Sequence, residues 1–426
     1  MRSITDLLNF KYILGNRQGW LYLYIIIYLV YSFTSGFEDP LLALSIAVFA
    51  VAPLEAAFFM FTFYILWEYV TTFSFGITGI LLMQIIMVAK LLLQNKSFAL
   101  NKNDLKTKCI SLQVVLLVYI SIMGFVSFLV GNGMTGISYV FKVLVTFYAI
   151  TFLYSDESYG NLLKAILHIL MISSIIATIY GSFHDTASER WISGMGDYVS
   201  QLYGTLGTTR MGFFYLISVV FFLYYVKNAF VRFAGIALFT ILTLMTISLT
   251  AFMLFFIIIC IYMFSLGKLS RTLIYSGLLM TVVLATFPFW SKLKTVQPLL
   301  FRVTYSMDAY KQGDLNRATS SREDLASFYI NQFESSNPAT IIFGNAKTAM
   351  SVTGFEMNSH NTYIDILFYF GILGLALLII YQIRKLMLLR HKPYFYPLLT
   401  LKVIILLGAT SVSIMSSTYF FFIIFI

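Results

Sequence analysis

The most constraining feature of the chain is a succession of apolar stretches about 20 residues long, the length that an α-helix needs to cross a bilayer core. Of the 426 residues, 59% are hydrophobic and 11% are charged, whereas soluble domains carry about 25% charged residues. This composition excludes a large soluble protein. Membrane-spanning strands would instead give short segments of alternating polarity. The sequence therefore predicts an all-α fold, a polytopic transmembrane helical bundle with about 12–14 spans.

The apolar stretches also give the bounds of the predicted spans. The run 232–266 is too long for one span, so we expect a tight hairpin near Ser248. Residues 412–426 form either a short last span or a re-entrant end. The predicted spans are 19–35, 40–52, 55–73, 77–94, 110–131, 137–154, 161–181, 211–227, 230–248, 250–267, 272–290, 361–384 and 395–411.

The formal net charge of +10 is distributed in a way that predicts orientation. When the spans are followed alternately from a cytoplasmic N-terminus, Lys and Arg collect in the inner loops, as the positive-inside rule requires. We therefore interpret the positive charge as a topology signal and expect no nucleic acid partner. The basic residues of the predicted inner segments are Arg2, Lys11, Arg17, Lys96, Lys102, Lys106, Lys108, Lys227, Arg232, Lys268, Arg271, Arg384, Lys385, Arg390 and Lys392.

This orientation divides the chain into four parts. The N-terminal tail 1–18 lacks a small-residue cleavage site, so we expect it to remain as a cytoplasmic segment. Residues 19–290 form the predicted transmembrane bundle, with a small outer loop at 182–210. Residues 291–361 form a large extracytoplasmic loop that is expected to contain short helices and to be catalytic. Residues 362–426 form the C-terminal transmembrane helices.

Both predicted outer loops contain arginines, against the usual bias of such loops. Arg190 and Arg210 belong to the small loop, and Arg302, Arg317 and Arg322 belong to the large one. Cations placed where topology disfavours them indicate an anionic partner on the outer face. The alternative is ordinary pairing with the acidic residues of the same loops, which almost cancel the charge of the large loop.

Two short helices are predicted inside the large loop. Residues 298–312 begin with proline, which is favoured in the first helical turn. The second helix begins within 320–324, where each serine is followed three residues later by an acid, a capping signature. Asn337-Pro338 ends that helix, and Gly344 marks a turn that brings the backbone back towards the membrane.

Arg322 and His360 are the strongest candidates for chemistry in this loop. Arg322 lies in the first turn of the second predicted helix, where backbone amides and a guanidinium together suit a phosphate group. His360 lies at the mouth of the span that follows the loop, and imidazole is the side chain best suited to proton transfer near neutral pH. The alternatives are an ion pair for Arg322 and a helix-capping cluster without chemistry for the histidine.

The order of these motifs resembles the O-antigen ligase/polymerase superfamily of bacterial envelope glycan assembly. Members of that superfamily place an arginine at a helix start, then a glycine-containing stretch, then His-Asn before a span with spaced glycines. The corresponding motifs here are Ser321-Arg322-Glu323-Asp324, Ile342-Phe343-Gly344, Ser359-His360-Asn361-Thr362-Tyr363 and Phe370-Gly371-Ile372-Leu373-Gly374.

Two features depart from that pattern. The glycine-rich stretch of the small loop ends in Thr209-Arg210 where the superfamily has Pro-Asn, so either Arg190 or Arg210 corresponds to its first arginine. The Ser-x-Ser-Arg-like end of a later span survives only as Ser248-Leu249-Thr250, without arginine.

The resemblance implies a metal-independent glycosyltransferase without a cofactor, in a bacterial cytoplasmic (inner) membrane, with its active-site loops outside. It implies a polymerase of undecaprenyl-diphosphate-linked repeat units; the alternatives are an O-antigen ligase and, from another class, a lipid-linked oligosaccharide flippase. The expected partners are the lipid-linked donor and acceptor, membrane lipids, a flippase and a chain-length regulator. The implied catalytic residues are His360, Arg322 and Arg210. The implied substrate-binding residues are Arg190, Asn361, Arg302, Arg317, Lys347 and Tyr363.

Overall fold

In a computed structural model of the chain, regular structure is helical apart from a two-stranded sheet and one isolated bridge in the residues that the structure describes. The described residues are 9–68, 70–73, 78–93, 108–132, 141–142, 159–184, 189–192, 197–200, 208–267, 292, 297–314, 322–353 and 359–411.

The helices follow most of the apolar stretches of the sequence, although α4 ends nine residues before the predicted end of its span at 73. The bundle helices are α1 (Lys11–Leu14), α2 (Gln18–Phe33), α3 (Glu38–Val51), α4 (Leu54–Tyr64), α5 (Gly79–Leu93), α6 (Lys108–Ser127), α7 (Tyr159–Phe183), α8 (Thr208–Tyr225), α9 (Ala229–Met245) and α10 (Leu249–Ser265). The later helices are α11 (Gln297–Lys311), α12 (Arg322–Glu334), α13 (Pro338–Phe343), α14 (Ala349–Thr353), α15 (Thr362–Leu389) and α16 (Phe395–Gly408).

The predicted all-α fold is confirmed for the described part of the chain. By length and composition, α7 and α15 could each cross a membrane, and the other apolar helices are shorter. Helix α15 continues to Leu389, beyond the predicted end of its span. Most of the predicted span 137–154, all of 272–290 and the segment 412–426 lie outside the described residues.

One difference from the predicted fold is a small β-hairpin in the loop 182–210. Strands β1 (Glu189–Ile192) and β2 (Asp197–Ser200) pair antiparallel, with Trp191 opposite Tyr198 and Arg190 opposite Val199. Aromatic and β-branched residues favour strands, and they account for this hairpin in a loop where no strand was predicted.

Helix α7 is the centre of the bundle and packs against α2, α4 and α8. His168 in this helix is 1% exposed, and its ring lies between those of Phe10 and Phe221, with centroids 4.5 and 4.7 Å away. The imidazole is thus part of the core. Near the C-terminal end of α7, Tyr180 joins an aromatic cluster with Tyr31 and Trp67.

Successive helices run antiparallel, so their ends collect at two ends of the bundle. At the first end, Arg17 forms an ion pair of 2.6 Å with Glu55, and the Lys90 ammonium donates to the carbonyl of Ala52. We call the opposite end the loop end. It contains the C-terminal end of α7, the start of α8, the turn 246–248 between α9 and α10, and the start of α15.

The hairpin predicted near Ser248 is present at the loop end. The Ser248 hydroxyl accepts a hydrogen bond from the amide of Ala251 and so caps α10. The helix predicted at 298–312 is α11, and the helix predicted after the serines is α12. Asn337 does more than terminate α12, because its side chain also caps α13 by accepting from the amide of Thr340.

Candidate functional site at the loop end

The start of α15 holds His360 in an exposed and strained position. Asn361 caps the helix, because its side-chain oxygen accepts from the amide of Tyr363 at 2.9 Å. The preceding Ser359 is 2% exposed, and its hydroxyl lies 3.2 Å from the carboxylate of Asp365. His360 stands between these fixed residues with φ +50° and an exposed side chain. Left-handed backbone at a non-glycine residue costs free energy and is concentrated at functional sites.

For the His360-Asn361 motif, the alternative prediction was a helix-capping cluster. That prediction holds for Asn361 alone. Asn361 is a helix cap, as the alternative proposed, whereas the cap does not use the side chain of His360. The side chain of His360 is exposed at the helix mouth.

A buried polar cluster lies directly beneath the helix mouth. Asp365 is 4% exposed, and it faces Tyr329 of α12, which is fully buried. Burial raises the pKa of the Tyr329 phenol; a hydrogen bond from Thr353 opposes the rise and the Asp365 carboxylate adds to it. The phenol therefore stays protonated at neutral pH and remains a hydrogen-bond donor inside the loop.

Helix α12 begins with Arg322 and packs against the first turns of α15. The rings of Tyr329 and Phe333 both contact Phe368. Arg322 lies seven residues before Tyr329, about 10 Å along the axis, and on the same helical face. It therefore belongs to the face of α12 that is directed towards α15.

Two further elements with predicted site arginines lie against the turn 246–248. The Arg302 guanidinium of α11 donates to the carbonyl of Ile247 at 2.9 Å. Arg210 lies in the first turn of α8, and two residues later a Cβ at Gly212 would lie 2.8 Å from Ala251 and 3.2 Å from the Thr246 hydroxyl. The Arg302 guanidinium and the backbone at the start of α8 therefore both lie close to this turn.

The start of α8 is connected to the start of α15 through the end of α16. The ring of Phe213 packs so closely on Gly408 that a Cβ there would lie 2.8 Å from it. The next carbonyl, of Ala409, accepts a hydrogen bond of 2.8 Å from the amide of Thr362. This continuous set of contacts brings Arg210, Arg302 and His360 to one region of the molecule.

The other predicted site residues have more varied positions. The phenol of Tyr363 donates to the carbonyl of Leu406 in α16, so its hydroxyl anchors the helix mouth. Lys347 is half-buried in the turn between α13 and α14. Arg190 lies in β1, where the structure describes only the backbone, and Arg317 lies outside the described residues.

The two glycine motifs of the sequence meet in space. Helix α15 is interrupted at Gly371, which has φ +66°, and Gly344 with φ +79° packs directly against the interruption. A Cβ at Gly344 would lie 2.6 Å from the amide nitrogen of Gly371. Gly344 and Gly371 belong to two separate motifs of the sequence, but their contact was not predicted. We call this contact, between 343–346 and 368–371, the glycine joint.

Tyr119 and Asp365 were not predicted as site residues. The Tyr119 hydroxyl lies 2.8 Å from the carbonyl of Phe343 and 2.6 Å from that of Phe370, so it belongs to the glycine joint. Nothing in the local sequence distinguishes this tyrosine from the other 28 in the chain. Asp365 could have been found as an acid in the first turn of an apolar helix.

No protein-family model, curated protein or solved structure matches this chain. The functional argument therefore depends on the site itself. Among the described residues, no group of three or more His, Cys, Asp or Glu side chains is placed to hold a metal ion. The site has cationic side chains for an anion and an exposed imidazole for a proton, with a protonated phenol beneath.

Proposed function

We propose that the chain is a membrane glycosyltransferase that polymerises undecaprenyl-diphosphate-linked oligosaccharide repeat units at the outer leaflet of the cytoplasmic membrane. The observation that carries this proposal is the convergence at the loop end. Contacts among α8, α10, α15 and α16 bring Arg210, Arg302 and His360, which are far apart in sequence, to one region. The sequence resemblance supplies the substrate class.

The proposed reaction is a displacement at the anomeric carbon of the donor sugar. A hydroxyl of the acceptor glycan attacks this carbon and transfers its proton to the imidazole of His360. The bond from the anomeric carbon to the diphosphate oxygen breaks, and the leaving group keeps the electron pair. Negative charge then grows on the diphosphate, where guanidinium groups stabilise it by charge-assisted hydrogen bonds. Arg322 and Arg210 have this role in the proposal.

The apolar helices support a membrane location for this reaction. Helices α7 and α15 meet the length and composition needed for a span, and His360 immediately precedes α15 and its cap. A histidine at this position can act on a sugar whose isoprenoid chain remains in the bilayer. In the proposal, the cationic loops of the opposite end face the cytoplasm.

The test is replacement of His360 by alanine and of Arg322 by lysine in cells that produce the surface glycan. We expect both variants to lose long chains at normal protein levels, because alanine removes the base and lysine loses the bidentate guanidinium. His391→Ala is the matched control, since this exposed histidine lies in the turn between α15 and α16 at the opposite end. Normal chains in the His360→Ala strain would exclude the catalytic assignment.

Products on the lipid carrier separate a polymerase from a ligase. Loss of a polymerase leaves single repeat units on the carrier, which is the result we expect when the gene is deleted. Full-length polymer accumulating on the carrier would instead identify a ligase, which transfers completed glycan to lipid A core or another acceptor.

The interrupted helix α15 favours a lipid-linked oligosaccharide flippase as a second candidate. Transporters commonly form their substrate sites at discontinuous helices, and Gly371 interrupts α15 nine residues after it begins. The sidedness of the accumulated repeat unit distinguishes the candidates. Deletion of a polymerase leaves it at the outer leaflet, as we expect, whereas deletion of a flippase leaves it at the inner leaflet.

A further inference from the structure

The interruption of α15 leaves backbone carbonyl groups that the helix itself does not satisfy. In a continuous helix, each carbonyl accepts from the amide four residues later. Here the carbonyl of Phe368 accepts from the amide of Asn345 at 2.9 Å, and that of Tyr369 accepts from the amide of Ala346 at 3.2 Å. The next carbonyl, of Phe370, faces the hydroxyl of Tyr119. Three consecutive carbonyls thus have partners outside the helix.

In the proposed membrane location, backbone carbonyls near Gly371 require hydrogen-bond partners from other segments. Gly371 lies nine residues into α15, about 13 Å from its start along the axis. Irregular backbone inside a bilayer is tolerated only where protein or an aqueous cavity covers it. The glycine joint and Tyr119 provide that cover, because the joint supplies two amides and the tyrosine supplies a hydroxyl.

Tyr119 contacts both sides of the joint from a third element, α6. Its hydroxyl lies within hydrogen-bond distance of two backbone carbonyl oxygens, that of Phe343 on one side of the joint and that of Phe370 on the other. A hydroxyl has one proton, so the two carbonyls share it. Gly374 lets the ring approach, since a Cβ there would lie 3.0 Å from Cε1 of Tyr119.

The joint determines the position of the groups that carry the proposed chemistry. Residues 362–370 form the first third of α15, with His360 just before its start and the joint at its other end. Phe368, which lies inside the joint, packs against Tyr329 and Phe333 of α12, and α12 begins with Arg322. Movement at the joint would therefore displace His360 and Arg322 together.

We propose that Tyr119 is a positioning residue whose hydroxyl holds the glycine joint closed and thereby fixes the first nine residues of α15 together with helix α12. This inference depends on the proposed function for its catalytic consequence. The structural part, that the hydroxyl keeps the joint closed, can be measured independently of any reaction.

The structural test is amide hydrogen exchange on the purified full-length Tyr119→Phe protein. Phenylalanine keeps the ring and removes the hydroxyl. Because one hydrogen bond is lost, we expect the amides of Asn345 and Ala346 to exchange about tenfold faster. Tyr28→Phe is the matched control: its hydroxyl pairs with Ser45 of α3, in the part of the bundle centred on α2–α5. This control should leave exchange at 345–346 unchanged.

The functional test separates turnover from binding in the same variant. With purified lipid-linked repeat units, we expect Tyr119→Phe to lower kcat about tenfold, a typical cost of a misplaced catalytic group. KM should change less than kcat, because Arg210 and Arg302 are positioned by α8, α10 and α11, outside the segments that the joint positions. Because kcat is expressed per folded molecule, a variant that is only less stable would keep the wild-type kcat.

The outcomes are distinguishable from those that test the proposed function. Unchanged exchange at 345–346 in Tyr119→Phe overturns the inference, whatever the activity. Faster exchange with unchanged kcat overturns the positioning role. If His360→Ala retains polymer, the proposed function fails, but the exchange experiment still decides whether the hydroxyl closes the joint.

Discussion

At the residue scale, glycine determines how closely two backbone segments can approach. Gly344 and Gly371 both have positive φ and lie against each other's backbone, so a side chain at either one is excluded for two separate reasons. The sequence already showed both residues in motifs. Only the structure gives the physical reason for them, which is a backbone contact between residues 27 positions apart in the chain.

Alanine at Gly344 tests this contact directly. Positive φ costs a non-glycine residue about 1–2 kcal/mol, and forcing extra atoms into a packed site costs about 1–3 kcal/mol more. Gly267 has φ +81°, but a Cβ there would meet no atom within 4 Å, so Gly267→Ala incurs only the first cost. We expect Gly344→Ala to lower the free energy of unfolding more than Gly267→Ala. Equal losses in denaturation of the purified proteins would contradict the close contact.

At the element scale, α15 performs two tasks that a straight helix could not combine. Its first nine residues carry the helix mouth and bind α12, whereas the part after Gly371 packs in the bundle along α6. The continuous apolar run in the sequence predicted one uninterrupted span. The interruption depends on partners from 343–346 and from α6, which are remote in sequence.

The cap at the start of this helix gives a second prediction. Asn361→Ala should lower the free energy of unfolding by about 1 kcal/mol, because the amide of Tyr363 loses its acceptor. Asn361→Ser should keep the free energy of unfolding close to that of the wild type, since a serine hydroxyl caps equally well. The measurement is the midpoint of denaturation.

The same variant isolates the predicted contact of Asn361 with substrate. We expect the stable Asn361→Ser protein to make fewer long chains than wild type, because serine lacks the amide group that would bind a sugar. Wild-type chain synthesis by Asn361→Ser would show that this residue acts only as a cap.

At the scale of the whole molecule, alternating helix direction decides which residues can meet. Arg210, Arg302 and His360 belong to different segments, yet contacts among α8, α10, α15 and α16 bring them to the same end of the described bundle. Among the described cations, Arg17 and Arg390 lie at the opposite end.

Cysteine labelling tests the predicted orientation, in which the two ends of the bundle lie on opposite sides of the membrane. In a chain with Cys109 and Cys260 replaced by serine, a cysteine replacing Tyr310 in α11, where 69% of the side chain is exposed, should react with a membrane-impermeant maleimide in intact cells. A cysteine replacing Lys392, which is exposed between α15 and α16, should react only after permeabilisation. Reaction of both in intact cells would contradict the orientation.

Most of the helical organisation could be predicted from the sequence, because an apolar stretch leaves its backbone few alternatives to a helix. The hairpin at Ser248 and the helices α11 and α12 followed from capping and turn residues whose effect is local. The β-hairpin of the small loop was missed, since strand pairing depends on a partner segment.

The sequence by itself determined where most of the helical segments lie, and which residues carry charge or a titratable group. These properties depend on hydrophobic length and on interactions within one turn. The tertiary structure alone decided that Gly344 meets Gly371, that Tyr119 bridges them and that Phe368 packs against Tyr329 and Phe333 of α12. Each of these arrangements depends on segments remote in the chain, and their approach depends on how the helices pack against one another.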